Sequence, residues 1–533
     1  MAGGLLNIVA IGNNNVFLTG TPTKTFFKVT YSKHTNFGLQ KFRIDYTGSR
    51  DLRPTEASHF KFKIPRYAEL LMDAYIVVTI PPIWSPAYQP TAQNGNGITE
   101  YKYKWIRNLG STMIQEISIE CGSVVLQKYS GQYLHSIVER DFDIQKKNLF
   151  YEMSGHDSGL YDPANSHANN GKYPTSVYTA SSLGAQPSIL GRQLFIPINS
   201  WFSTNNGCAF PLVALQYNDL YINVTLRPIQ ELFQICDVTD ATNGFPYIQP
   251  DFTKQEFQMY RFLQTPPGYN IDPENYANKS LTWNTDIHLL CTYCFLSADE
   301  TKQIAINDQV YVIKDVQEYN YDDVVGTSKV SLPSSGMVSN WTWFLQRNDV
   351  HMRNEWTNYT NLPYYGLNFY LEINNQYISN PNGSITGIQT TGAYKEWFRK
   401  EIMTGMGILL NGEYRENMMT SGVYNYIDKY ARSQGFAEEG IYFYNFGLTT
   451  GDYQPAGAIN MNKFKDIQLE ITTIIPTPRT KQFNVVCDNN GNPIGTTRSD
   501  MRVYDYSYRM TIYEERYNVL SFIGGNAGLL YAK

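Results

Sequence analysis

The chain reads as an all-β protein made of two successive β-sandwiches, with long surface loops and few short helices. Three observations predict this. Apolar and polar residues alternate at period two in segment after segment from residue 25 onward, with Gly, Pro and Asn between them. Aromatic residues make up 14% of the chain, including 42 Tyr, while charged residues reach only 17%; that balance suits strands and polar turns better than helices. A turn-rich stretch at 237–280 divides two β-rich halves, and 533 residues are enough for each half to bury its own core without disulfide staples.

The elements follow in order. Residues 1–24, Gly- and Asn-rich with one short apolar patch, read as an extended arm. Strand grammar starts at Thr25 in TFFKVTYSKHTNFGLQKFRIDY and continues in HFKFKIPRY and in LLMDAYIVVTI, which Pro81 and Pro82 end. A loop covers 88–99. TMIQEISIECGSVVLQKYS reads as a hairpin that turns at Cys121-Gly122-Ser123. Residues 145–191, rich in Gly, Ser, Asn and Pro, are the longest irregular stretch and read as an exposed insertion. RQLFIPINSWF and FPLVALQYNDLYINVTLRPI return to strands, and the connection 237–280 follows. The second half repeats the pattern in SLTWNTDIHLLCTYCFLS, QVYVIKDVQEYNY, NWTWFLQR, YYGLNFYLEI, GIYFYNFGL, FKDIQLEITTII and RVYDYSYRMTIYEERYNVLSFI. Helical periodicity is confined to 298–309 and 413–430. The expected division is therefore an arm 1–24, a first sandwich 25–236, a connection 237–280, a second sandwich 281–515 and a tail 516–533.

Charge and motif content exclude several functions. The net charge is −5, and no basic run of the kind that grips nucleic acid is present, so direct nucleic-acid binding is not expected. Six Cys in a long chain do not make a disulfide scaffold; reduced thiols and synthesis in the cytoplasm are expected. No apolar window reaches membrane-spanning length, and the first residues lack the basic and apolar regions of a signal peptide. Cys291 and Cys294, with His288 nearby, have metal or redox spacing but no second ligand pair, and period two sends the two Cys to opposite faces of a strand. His156 and His167, beside Asp157 and Asp162, read as solvated loop residues rather than ligands. Nucleophile-elbow, phosphate-loop and zinc-protease motifs are absent, so the chain reads as non-enzymatic, with no cofactor and no metal expected. Five N-x-S/T sequons occur, at Asn223, Asn278, Asn340, Asn358 and Asn382. Asn382, Asn358 and Asn278 are the glycosylation candidates, Asn382 being placed as the best exposed and the mid-strand Asn223 as the poorest.

One resemblance runs along most of the chain. GIYFYNFGLTTGDYQPAGAINMNKFKDI (440–467) resembles the "GIYVYSFAL…QPSGT.NFSRID" signature of major capsid proteins of nucleocytoplasmic large DNA viruses. FLTGTPTKTFFKVTYSKHTNFG (17–38), YKYKWIRNLGSTMIQEISIECGSVVLQKYSGQYL (101–134), FPLVALQYNDLYINVTLR (210–227), ADETKQIAINDQVYVIKDVQ (298–317) and ERYNVLSFIGGNAGLLYAK (515–533) resemble other blocks of that family, in the family's order. Three departures stand out. Ser335-Gly336-Met337 replaces His-Pro-Val, Pro455-Ala456-Gly457 replaces Pro-Ser-Gly, and Asn462-Lys463-Phe464 replaces Ser-Arg-Ile.

The resemblance implies a double jelly roll of two eight-stranded sandwiches, and homotrimers that form pseudo-hexagonal capsomers. It further implies contacts with neighbouring capsomers and with minor capsid and penton proteins, in the icosahedral shell of a virion. It places 145–191 outside and the arm inside, near minor capsid proteins or an internal membrane. A β-sandwich binding module such as a lectin or spike is the competing reading. A jelly-roll enzyme of cupin type would need a His/Glu cluster on facing strands, which the sequence does not supply.

Overall fold

Strict alternation places the core strands. Ser58–Lys63 buries every other residue, and Leu220–Leu226 and Ile467–Thr473 bury theirs in the same rhythm, with Phe60, Phe62, Ile222, Val224, Leu469 and Ile471 inward. The computed structural model describes residues 16–88, 99–176, 185–240, 245–267, 273–364, 375–379, 385–390, 399–451, 454–478, 484–497 and 503–531.

Sixteen strands build two sandwiches. The first sandwich contains β1 (Phe37–Asp45), β2 (Ser58–Lys63), β3 (Leu70–Ile80), β4 (Ile114–Cys121), β5 (Val124–Tyr129), β6 (Arg192–Pro197), β7 (Leu220–Leu226) and β8 (His288–Leu296). Its sheets run β1-β8-β3-β6 and β2-β7-β4-β5. The second contains β9 (Gln309–Tyr321), β10 (Thr327–Ser331), β11 (Met337–Arg347), β12 (Met403–Leu410), β13 (Glu413–Thr420), β14 (Ile441–Asn445), β15 (Ile467–Thr473) and β16 (Tyr508–Ile523). Its sheets run β9-β16-β11-β14 and β10-β15-β12-β13. Counted within each half, the order is first-eighth-third-sixth and second-seventh-fourth-fifth in both. All these pairings are antiparallel, so the two halves are jelly rolls of one topology.

Several expectations are corrected by the pairing. The sequence places the strand 288–296 in the second half, yet β8 lies between β1 and β3, with Cys291 opposite Phe42 and Ala74. Local sequence specifies a strand but not the sheet that receives it. The tail 516–533 is no tail: β16 runs to Ile523, and Asn526–Leu529 folds back on it. Strand grammar at 25–36 yields no strand, and Phe26, Phe27, Val29 and Tyr31 are exposed. Alternation makes a two-faced segment, which still needs a paired edge and a covered face.

The helices differ as well. The segment 413–420, rich in the helix formers Glu, Arg and Met, is strand β13, because pairing with β12 overrides propensity; the helical part comes after it and includes Val423–Ile427 and Asp428–Arg432. The helix expected at 298–309 is α3 (Ala298–Ile306), between the sandwiches. Helices α1 (Gly131–Asp141) and α2 (Ile144–Ser154) were missed. Each begins with a side-chain cap, Ser130 accepting from the Tyr133 amide and Asp143 from the Lys146 amide. The supposedly solvated stretch 145–191 thus opens in α2, and Phe150, Leu160, Tyr173 and Ile189 within it are buried.

Candidate functional site

The sandwiches meet along a buried seam, and helix α1 is its centrepiece. Along β16, Ile512 enters the second core with Trp341, Trp343 and Leu345, whereas the next residue, Tyr513, belongs to the core of the first sandwich. Strand β11 shows the consequence: it is buried from Val338 to Gln346 on both faces, because the seam covers the face that solvent would otherwise wet. The Tyr133 ring on α1 packs on Tyr513 at 5.2 Å, and Ser130 Oγ lies 2.9 Å from the Tyr513 hydroxyl. At the chain's end Phe522 meets Phe210 of the first sandwich edge-on at 5.1 Å.

A charged network lies in the middle of this apolar contact. Arg140 of α1 pairs with Glu515 of β16 at 2.7 Å and with Asp141 at 2.6 Å, and donates to Asn340 Oδ1 at 2.9 Å and Thr342 Oγ1 at 3.1 Å. Glu515 also accepts from the Tyr133 hydroxyl at 3.0 Å and from Asn340 Nδ2 at 2.9 Å, with Lys314 Nζ at 3.6 Å. Arg140 and Glu515 side chains are each only 2% exposed, so a missing partner here would leave a buried charge uncompensated. Burial pushes the Glu515 carboxyl up, but Arg140, Lys314 and Asn340 outweigh it and hold it down at about 2. Around the rim Gln127 donates to the Lys314 carbonyl, Gln132 to the Trp356 carbonyl, Trp356 to the Glu231 carbonyl, and Asn354 to those of Gln230 and Phe233. This arrangement can fix two sandwiches as one body; it has no nucleophile–base pair with which to do chemistry.

The residues singled out in the sequence fall elsewhere. A bulge between Thr292 and Tyr293 interrupts the expected alternation, so Cys291 through Cys294 are all buried. Both thiols are free, and burial pushes Cys291 up to about 12, which leaves it unreactive. His288 Nδ1 lies 2.7 Å from the Asp286 carbonyl oxygen. His156 is not a solvated loop residue: it lies between the Tyr151 and Tyr161 rings, and burial, with His135 nearby, lowers it to about 4. Asp157 caps Ser158–Tyr161 and pairs with Arg192, Asp162 accepts from Asn165, and His167 adopts a positive φ, so these four do not form a ligand set. Among the described residues, the group that brings His and carboxylates together is instead His135, Glu139 and Glu438, which the sequence reading passed over. Its signal was a His and a Glu four residues apart, visible only once 131–141 is known to be helical.

The sequons separate clearly. Asn358 is buried, and its amide nitrogen already donates to Glu355 and to the Leu362 carbonyl, so the atom a glycan would occupy is unavailable to it in the folded chain. Asn340 is buried in the seam, Asn223 sits within β7, and Asn278 is exposed; Asn382 lies outside the described residues.

Among the described residues, exposed apolar side chains gather before β1 and again around β13. Strand β13 ends its sheet, exposing Tyr414, Met418 and Met419, and the turns after it expose Tyr426, Ile427 and Tyr430. Among the described residues, this strand edge is unpaired and lies beside exposed aromatics and Met.

Comparison with known proteins agrees with this architecture. Residues 25–261 match the family described as major capsid protein N-terminus, and residues 300–528 match the large eukaryotic DNA virus major capsid protein family. The chain is similar to the major capsid proteins of Phaeocystis pouchetii virus and Chrysochromulina ericina virus, each 23% identical with all of both chains covered. Among solved structures it is similar to PBCV-1 VP54, with a TM-score of 0.61 at 16% identity over 96% of this chain and 100% of that one. The Faustovirus major capsid protein gives 0.59 at 12% identity over 97% and 98%. These neighbours are double jelly rolls, the fold described above. Two like jelly rolls, matched in both halves by capsid families, place this chain in the major capsid proteins of large eukaryotic DNA viruses, a structural and non-enzymatic family that forms the virion shell.

Proposed function

We propose that three copies of this chain assemble into a pseudo-hexagonal capsomer, and that these capsomers tile an icosahedral shell. The observation that carries the reading is the identity of strand order in two sandwiches locked side by side. Three rigid pairs supply six similar units around a true threefold axis, so lateral contacts approach sixfold packing while the symmetry stays closed. The exposed edge β13 and the apolar residues after it provide surface for contact between copies. In this reading the arm before β1, with Phe26, Phe27, Val29 and Tyr31 exposed, faces inward toward minor capsid proteins or an internal membrane. Minor capsid and penton proteins meet the capsomer edges, and the genome is enclosed without being gripped. Six free cysteines, four of them buried, fit synthesis in the host cytoplasm. Asn278 is the exposed glycan acceptor to examine first.

Light scattering on the purified full chain tests the assembly. A native mass of three times 61.0 kDa, about 183 kDa, is expected. A monomer of 61.0 kDa that stays monomeric at high concentration would overturn the capsomer reading.

A further inference from the structure

A second polar cluster crosses the same seam, and it is built differently from the Arg140 network. His135 and Glu139 are four residues apart on α1 and therefore share one helical face. Facing them is the segment 433–440 of the second sandwich. Gly435 brings that segment in: its amide donates to the Arg140 carbonyl at 2.9 Å, and a side chain there would strike the Arg140 and Glu139 carbonyls. The Glu438 amide donates to Glu139 Oε2 at 2.9 Å, and Lys147 of α2 pairs with that same oxygen. One ligand-capable atom from each of His135, Glu139 and Glu438 then falls within 4.8 Å of the others.

The cluster is unsatisfied where the Arg140 network is complete. His135 is 1% exposed and stacked on Tyr359, yet neither ring nitrogen makes a hydrogen bond. Glu139 is fully buried, and its Oε1 has no partner. Buried polar atoms without partners are rare, and a His and a Glu that both carry them beside a third ligand-capable carboxylate call for a ligand. His135 Nε2 stands 3.7 Å from Glu438 Oε2, too far for a hydrogen bond. That gap is close to the ~3.3 Å between two donors that share a tetrahedral zinc at about 2.0–2.1 Å. The Glu438 side chain is 45% exposed, which leaves an entry path from solvent.

We propose that His135, Glu139 and Glu438 form a zinc-class divalent-cation site that ties helix α1 of the first sandwich to the segment 433–440 of the second. Imidazole with two carboxylates suits such an ion better than calcium or magnesium, which prefer all-oxygen sets. Glu139 would offer Oε1 to the metal while Oε2 keeps Lys147.

The test uses the full chain, stripped with chelator and titrated with zinc chloride, with metal content read by mass spectrometry and the melting temperature read in parallel. Glu438→Gln is the main variant, because that partly exposed side chain can lose its charge without disturbing the core. Cys487→Ser controls for the exposed thiol. The expected result is one zinc per wild-type chain, at least about tenfold weaker binding in Glu438→Gln, no change in Cys487→Ser, and a zinc-dependent rise in melting temperature in wild type and Cys487→Ser that Glu438→Gln lacks. Cobalt in place of zinc should give a visible spectrum without thiolate charge-transfer bands. Wild-type protein that takes up no zinc, or a Glu438→Gln variant that binds it as tightly, would overturn the site.

Discussion

Two polar clusters on one helix invite comparison. Arg140 and His135 are five residues apart on α1, and both face the second sandwich. Around Arg140 every charge has its partner within the chain: Glu515, Asp141, Asn340, Thr342 and Tyr133 close the network. Around His135 the partners stop short, and three buried atoms make no hydrogen bond. A complete network fixes how two sandwiches sit without help from outside; an incomplete one at the same seam is a place where something else can bind. The difference teaches that the seam has a permanent part and a conditional part.

The largest expected effect breaks the permanent part. Glu515→Ala leaves Arg140 buried without its main counter-charge and should cost about 3–5 kcal/mol in denaturant unfolding. A double replacement of Arg140 and Glu515 by Met should recover much of that loss, since paired apolar residues of similar volume are tolerated where half a pair is not. Tyr133→Phe keeps the ring on Tyr513 and removes only the hydroxyl that donates to Glu515, so a smaller loss of about 1.5–3 kcal/mol is expected in the same assay.

Acid sharpens the comparison next. The folded Glu515 carboxyl sits at about 2, below its model-compound value of 4.5. A depressed carboxyl contributes stability that is full above the unfolded value and is lost as pH falls through the folded one. Stability should therefore decline between about pH 4.5 and 2, and Glu515→Gln should lack that share of the decline when melting is followed across the range. The smallest effect falls on the conditional part: without metal, Glu438→Gln should shift stability by no more than about 0.5 kcal/mol, because the carboxylate is partly exposed and only loosely paired.

Much of the fold was legible in the residues, and the misses have physical causes. Clean alternation in SHFKFK, LYINVTL and IQLEITT marks half-buried strands wherever they sit, and Gly122 at the turn of the β4–β5 hairpin has the positive φ that its sequence suggests. Strand β8 is legible as a strand but not as part of the first sandwich, because pairing partners some 200 residues away leave no local trace. Helix α1 escaped because its buried face mixes Tyr, His, Ser, Glu and Arg with Leu134 and Val138, and α2 because it buries only Phe150 and Ser154; the seam that α1 enters is polar at its centre. For the same reason the seam itself was invisible. Arg140 and Glu515 look like ordinary surface charges until α1 and β16 are brought together, and the buried Asn358 looks like any other sequon. The candidate metal group needed both a helix and a turn from the other sandwich before its three side chains could be read as one.

The most direct test of the central claim, that two like jelly rolls fixed by this seam are a single building block of the shell, is electron microscopy of the purified, assembled protein. The account predicts compact particles of hexagonal outline, with six similar lobes around a threefold axis and a constant distance between the two lobes of each chain. Particles in which the lobes of one chain vary in separation, or which never show more than two lobes, would contradict it.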